Sequence, residues 1–237
     1  MTLAASLFPI FCWGFYTVFA SWLEKRRPSL SIIMGAQRHR WVRNAVHRET
    51  PMDAILSGNL MGAVSFFAST TVLIILAIIA VFGQISAVVE AVSVMQPTLD
   101  ISKAAVERHL VLFLVMFVMA FLSFTLSLRQ FNHFCIMLGA ADEADECDPE
   151  EIYVMAALNT IAARNFNQGI RAYYFSLGMI AWFVSVWAAI GVSVLLFASI
   201  LYREFFSAAR ELVAGLKVEV TNPAQKGMAR KRNSDKP

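Results

Sequence analysis

Charge is scarce in this sequence, and four long stretches contain none at all. Only 16% of the 237 residues are charged and 58% are hydrophobic, whereas soluble domains average about 25% charged and roughly 45–50% apolar residues. A helix needs about 20 consecutive apolar residues to span a bilayer. Four stretches without Asp, Glu, Lys, Arg or His reach this length, at residues 3–22, 60–82, 110–128 and 177–201. The sequence therefore predicts an all-α fold, a four-helix transmembrane bundle, rather than a soluble domain.

Cysteine and histidine are also rare, which limits metal and cofactor chemistry. The 3 cysteines form no Cys-x-x-Cys pair, so neither a disulfide framework nor a zinc knuckle is indicated. Haem held by two histidines needs both at one depth inside the bundle. His109 and His133 lie at opposite ends of the third stretch, about 36 Å apart on a helix. We expect no cofactor and no metal, because His133 and Cys135 would need ligands from elsewhere.

Catalytic motifs are missing as well. The sequence contains no nucleotide-binding loop, no HExxH, no GxSxG and no paired-carboxylate pattern. We therefore expect no enzymatic activity. The four apolar stretches also lack the ionisable residue that ion-coupled transporters usually keep at membrane depth, which weighs against a transporter.

The distribution of Lys and Arg predicts the orientation in the membrane. The first connection, residues 23–59, holds seven basic residues, and the third, residues 129–176, holds three. The second connection holds two and the tail eight, of which five lie far from the last stretch. Because basic residues near the span ends mark the cytoplasmic side, we expect connections one and three inside and both termini outside.

Helix-start patterns indicate that some helices are longer than the bilayer. Thr50-Pro51-Met52-Asp53 and Asp148-Pro149-Glu150-Glu151 each combine a capping residue, a proline in the first turn and an acid. Both precede apolar stretches, so we expect helices extended into the cytoplasm. We assign residues 1–215 to one membrane domain and expect the polar residues 216–237 to be disordered.

Two further patterns concern packing. Small residues recur at helical spacing, for example at Gly58, Gly62, Ser65 and Ser69, and such stripes allow close helix packing or a homo-oligomer. Residues 30–48 are amphipathic at helical spacing with a basic face. This segment is compatible with a helix on an anionic leaflet and equally with a helix packed on the bundle.

The candidate site lies on the two ends of the third connection. Arg129 and Asn132 share one helical stripe, and Arg164, Asn167 and Arg171 share another. The arginine fork matches phosphate and carboxylate groups, so these five residues form a candidate clamp for an anionic group. The alternative is a structural network between helices, or ordinary contacts with lipid headgroups.

Three strings in the sequence resemble a known family. They are the segment from Asp53 to Thr71, Ser-Leu-Arg-Gln-Phe-Asn after the third stretch, and Arg-Asn-Phe-Asn-Gln-Gly-Ile-Arg-Ala-Tyr-Tyr-Phe before the fourth. In this order they resemble the DUF599 family of multi-pass membrane proteins of bacteria and plants, over residues 1–215. One departure is Leu126, where the family pattern has Trp. The resemblance implies a membrane location and brings no known activity or site residue.

Together these observations predict a multi-pass protein of the bacterial inner membrane. We expect a non-enzymatic binding or scaffold protein that engages anionic lipid or a partner at its cytoplasmic face. Nucleic acid is not an expected partner. The alternative is a small-solute transporter or channel.

Overall fold

The chain folds almost entirely into helices, as expected. The computed structural model describes residues 2–48, 51–97, 102–141 and 148–215, and these contain no strand. The helices are α1 (Thr2–Glu24), α2 (Leu30–Ala45), α3 (Met52–Phe82), α4 (Ile85–Met95), α5 (Lys103–Ala140), α6 (Pro149–Val184), α7 (Val186–Phe205) and α8 (Ala208–Ala214). The expected disorder of residues 216–237 concerns residues outside the described part.

Four helices are long and apolar enough to cross a membrane, which confirms the predicted bundle of apolar helices. They are α1, α3, α5 and the segment that runs from α7 through α8. The predicted helix extensions are also present, since α5 has 38 residues and α6 has 36. At 1.5 Å per residue both exceed the roughly 30 Å of bilayer hydrocarbon.

The expectation of one continuous span at residues 177–201 is wrong, because Ser185 interrupts it. Ser185 is extended, with φ −165° and ψ 144°, so α6 ends at Val184 and α7 begins at Val186. The Ser185 hydroxyl accepts a hydrogen bond from the Trp187 amide at 3.2 Å, which caps the start of α7. Residues 177–184 therefore belong to α6, and α6 and α7 form a tight hairpin.

Helix α6 runs through the same layer as the apolar part of α5, in the opposite direction. At one end the Ser127 hydroxyl donates to the Ala162 carbonyl at 2.7 Å. At the other end His109 Nε2 lies 2.9 Å from the Met179 carbonyl. Residues 162 and 179 are about 26 Å apart along a helix, close to the hydrocarbon thickness. Helix α6 is thus a further long helix of the bundle, although it carries Arg164 and Arg171.

The bundle has two distinct ends, named here for the short helices that lie there. The α2 end holds α2, the start of α3 and α8, and the α4 end holds α4 and the start of α1. Arg210 of α8 donates from Nε and Nη2 to the Pro28 carbonyl at 3.2 Å, whereas Ser6 of α1 contacts His109 at 2.9 Å. The described chain therefore starts at the α4 end and stops at the α2 end. The expectation that both termini lie on one side of the membrane stays a prediction, because residues 216–237 lie outside the described part. Within that part, α6 is an additional long helix that places the first and last described residues at opposite ends of the bundle.

Helix α2 packs on the bundle, which decides between the two interpretations of the amphipathic segment. Val42 and Ala45 are buried. The Trp41 ring lies 5.7 Å from the ring of Phe134 on α5. The basic side chains Arg40 and Arg43 remain exposed. The apolar arc of α2 thus covers the ends of α5 and α6.

Candidate functional site

A polar cleft of about 520 Å³ opens between α1, α2, α6 and α7. Helix α6 contributes half of its polar side chains, and α1, α2 and α7 form the other walls. Its lining includes Tyr16, Ser21, Glu24, Ser31, Thr160, Arg164, Asn167, Gln168, Arg171 and Glu204. We call this cavity the polar cleft. It runs from the α2 end, where Glu24 and Ser31 lie, towards the middle of the bundle.

Arg171 lies at the inner end of the polar cleft, at mid-depth of the bundle. It is nine residues from Ala162 and eight from Met179, which mark the two boundaries of the α5 apolar run. Its guanidinium carbon lies 5.1 Å from the centre of the buried Tyr16 ring, a cation–π arrangement. Its Nε is buried and has no hydrogen-bond partner among the described residues. A charge at this depth is costly and is usually kept for a function.

The two acids of the cleft are engaged by the start of α2. Glu24 accepts a hydrogen bond from the Ser29 hydroxyl at 2.6 Å, and Glu204 accepts one from the Ser31 amide at 2.9 Å. Carboxylates are stabilised at a helix N-terminus by the exposed amides and the helix dipole. Both acids thereby anchor α2. No described carboxylate lies within ion-pair distance of Arg164 or Arg171.

A third arginine adds positive charge near the mouth of the cleft. Burial lowers the pKa of the Arg38 guanidinium, and the neighbouring charge of Arg164 lowers it further. Two like charges in this position repel each other. An anion between or beside them would relieve that repulsion. The electrostatics of the mouth therefore favour an anionic ligand.

The five predicted site residues separate into two groups. Arg164, Asn167 and Arg171 line the polar cleft together. Arg129 and Asn132 are exposed on α5 and line no part of it. Ser127 and Phe131 on α5 are buried and face α6. Arg129 and Asn132 lie one or two positions further along the helix, so their side chains point away from α6. The expected clamp across both stripes is therefore not formed.

Sequence reasoning missed the partners that complete the cleft. Tyr16 and Glu24 lie on α1, more than 100 residues before α6, and Glu204 lies on α7, 33 residues after Arg171. Glu24 and Glu204 flank apolar stretches and could have been flagged as acids at span ends. Nothing in the sequence pairs them with the α2 start. In the described ranges no three His, Cys, Asp or Glu side chains gather in a group that could hold a metal ion.

A second buried polar group lies at the α4 end. His109 is fully buried, with Nδ1 2.9 Å from the Ser6 hydroxyl and Nε2 2.9 Å from the Met179 carbonyl. Its ring stacks on Trp182 at 4.1 Å between centroids. Both ring nitrogens are thus satisfied within the protein. This cluster joins α1, α5 and α6 at the end opposite the cleft mouth.

Comparison with known proteins gives a family and no further relative. No curated protein matches the chain, and no solved structure matches it. A family model described as "Protein of unknown function, DUF599" matches residues 4–209. The match covers α1 to α7 and the first residues of α8, so the resemblance drawn from the three strings is confirmed. The chain is a membrane-type helical protein that belongs to the DUF599 family.

Proposed function

We propose that this protein binds an anionic headgroup, such as that of an anionic lipid, in the polar cleft. The observation that carries the proposal is Arg171, a guanidinium at mid-depth of the bundle without a carboxylate partner among the described residues. Its buried Nε lacks an acceptor, and a phosphate oxygen would supply one. Arg164 at the mouth and the amide of Asn167 add donors. The proposal is a binding function without catalysis.

We further propose that the α2 end faces the cytoplasm of a bacterial inner membrane. Eleven described Lys and Arg residues lie at the α2 end, and two, Lys103 and Arg108, lie at the α4 end. The excess supports a cytoplasmic α2 end by the positive-inside rule. The cleft would then open to the inner leaflet, where anionic lipids attract basic residues. In this proposal the first connection is cytoplasmic, as the sequence predicted. The last described residues would also be cytoplasmic, whereas the sequence predicted both termini outside.

Lipid retention by the purified protein tests the binding proposal. Native mass spectrometry from mild detergent, after exchange into a phosphatidylglycerol and phosphatidylcholine mixture, reports which lipid stays bound. Arg164→Ala and Arg171→Ala should each lower phosphatidylglycerol retention by roughly tenfold or more, because each removes a charge-assisted contact. Arg129→Ala is the matched control, since Arg129 is exposed and outside the cleft. Equal losses in all three variants would contradict a site in the cleft.

A small-solute transporter is the second candidate. The sequence weighed against it, but one observation in the structure favours it. Arg171 supplies the ionisable residue at membrane depth that the apolar stretches lack. The cleft reaches it from one end only, and the His109 cluster lies between it and the other end. Saturable uptake of an anionic solute into proteoliposomes, lost in Arg171→Ala, would favour transport over lipid binding.

A further inference from the structure

A buried carboxylate at the start of α3 is only partly satisfied. Asp53 is 6% exposed. Its Oδ1 accepts hydrogen bonds from Trp41 Nε1 at 2.6 Å and from Arg48 Nη1 at 3.2 Å. Its Oδ2 is buried and has no partner in the part of the chain that the structure describes. Leaving a buried carboxylate oxygen without a donor is costly. A ligand that donates a hydrogen bond to Oδ2 would therefore stabilise this carboxylate.

Asp53 lines a cavity of about 480 Å³ between α2, α3 and α5, which we call the Asp53 groove. Its other ionised side chain is Arg48, and Met61 and Leu138 form part of its apolar wall. Gly58 on α3 and Gly139 on α5 also line it, and a Cβ added at either would meet nothing within 4 Å. The groove is therefore open because two helices carry glycine where a side chain would fill it. It shares no lining residue with the polar cleft.

The groove lies beside surface that is suited to lipid chains. Next to Asp53 on α3, the side chains of Met52, Ile55 and Leu56 are 54%, 60% and 43% exposed. Helix α3 is one of the helices that could cross a membrane. These three side chains lie just before the apolar run that begins at Leu60, so they lead from the groove to the part of α3 that can face acyl chains. A molecule in the groove would thus have its polar head at Asp53 and its apolar part along α3.

We propose that the Asp53 groove binds a phospholipid with a primary ammonium headgroup, as in phosphatidylethanolamine. The ammonium donates to Asp53 Oδ2, and the phosphate accepts from Arg48. Arg48 is suited to this because its side chain is 36% exposed and only its Nη1 contacts Asp53. A choline headgroup carries no N–H to donate. A glycerol headgroup leaves the phosphate charge without a cation to offset the Asp53 carboxylate. Charge complementarity therefore selects the zwitterionic headgroup that has N–H donors.

Two glycines of α3 provide a matched pair of variants that do not alter Asp53. Gly58→Leu fills the groove, whereas Gly62→Leu lies one turn further along α3 at an exposed position outside it. A Cβ at either glycine meets nothing within 4 Å, so both variants should fold. Asp53→Asn keeps the size of the side chain and removes its charge. The wild type and each variant are equilibrated with equal amounts of phosphatidylethanolamine, phosphatidylcholine and phosphatidylglycerol and examined by native mass spectrometry.

We expect the wild type to retain phosphatidylethanolamine over phosphatidylcholine by roughly tenfold or more, as one charge-assisted contact implies. Gly58→Leu and Asp53→Asn should remove this preference, while Gly62→Leu and the cleft variant Arg171→Ala should keep it. A wild type without the preference would overturn the proposal and would fit a water on Oδ2. Equal retention by Gly58→Leu and Gly62→Leu would overturn it even if Asp53→Asn failed to fold. If Arg171→Ala loses phosphatidylglycerol but keeps the preference for phosphatidylethanolamine, the polar cleft and the Asp53 groove are separate binding sites.

Discussion

Arg171 is the residue whose environment decides how the polar cleft works. Its guanidinium lies over the Tyr16 ring at mid-depth, with Nε buried and unpaired among the described atoms. Cation–π contact offsets part of the desolvation cost, while the Nε–H keeps no acceptor among the described atoms. A structural arginine at this depth would be expected to satisfy that N–H with a carboxylate or a carbonyl. The unpaired Nε–H is the feature that favours a ligand.

Replacing Arg171 by lysine tests the role of the planar fork. Lysine keeps the charge and loses the bidentate geometry, so Arg171→Lys should weaken phosphatidylglycerol retention almost as much as Arg171→Ala. Losing one such contact costs about 1.5–3 kcal/mol, or roughly ten- to hundredfold in affinity. Lipid titration followed by native mass spectrometry measures it, with thermal melting of each variant in parallel. If both variants bind like the wild type but melt at a much lower temperature, Arg171 is a structural strut.

At the scale of the element, α6 exposes few side chains within the layer, since between Ala162 and Met179 only Arg164 and Leu177 are exposed. Gly169, Ala172, Phe175 and Met179 are buried along one side, and Gly178 meets α7 closely at Ser193. Small residues allow the neighbouring helices to approach, as in membrane bundles generally. A helix shielded in this way does not need an apolar surface on all sides. This is why α6 tolerates Arg164 and Arg171 within the layer.

The approach of α5 to α6 at Gly169 leads to a stability prediction. A Cβ at residue 169 would lie 2.5 Å from the ring of Phe124, which is fully buried and packed against the rings of Phe67 and Tyr173. Gly169→Ala should therefore destabilise the bundle by about 1–3 kcal/mol through overpacking. Gly191→Ala on α7 is the control, because nothing lies within 4 Å of its added Cβ. It should leave the melting temperature unchanged or raise it, as alanine favours helix over glycine.

Equal melting temperatures for the two glycine variants would contradict this packing. Thermal unfolding of the detergent-solubilised protein, monitored by circular dichroism, makes the comparison. The result concerns the α5–α6 contact alone and does not depend on any ligand.

At the scale of the whole molecule, the number of crossings sets which ends of the chain share a side. Helices α1, α3, α5, α6 and α7 pass through one layer in alternating directions, as the contacts from Ser6 to His109 and from Arg210 to Pro28 require. With α6 included, the basic residues concentrate at the α2 end. A count based on four crossings divides the same described residues ten against four. The excess of basic residues at one end is therefore larger when α6 is counted, eleven against two.

Cysteine labelling tests this orientation directly. In a variant without native cysteines, Lys103→Cys lies at the α4 end and Gly215→Cys at the α2 end, and both positions are exposed. We expect an impermeant maleimide to label Lys103→Cys in intact spheroplasts and Gly215→Cys only after lysis. Labelling of both in intact spheroplasts would contradict the additional crossing. The reverse pattern would keep the crossing and invert the orientation.

Local sequence determined the features that depend on neighbouring residues. The all-α fold and the four apolar helices follow from uncharged stretches, since length and hydropathy are properties of a continuous segment. The stripe of Arg164, Asn167 and Arg171 follows from helical spacing and does line one cleft. The DUF599 membership follows from three local strings and is confirmed.

Tertiary structure alone decided what depends on contacts between distant segments. Hydropathy assigned residues 177–201 to one span because it does not register the extended backbone at Ser185. Hydropathy did not identify α6 as a long helix of the same layer, because α6 contains polar residues. Burial against other helices, rather than an apolar composition, makes that helix compatible with the layer. Tyr16 and Glu204 join Arg171, and Arg129 is excluded, through helix packing over more than 30 residues of separation. Helical spacing fixes which residues share a face, but only the packed bundle determines what that face meets.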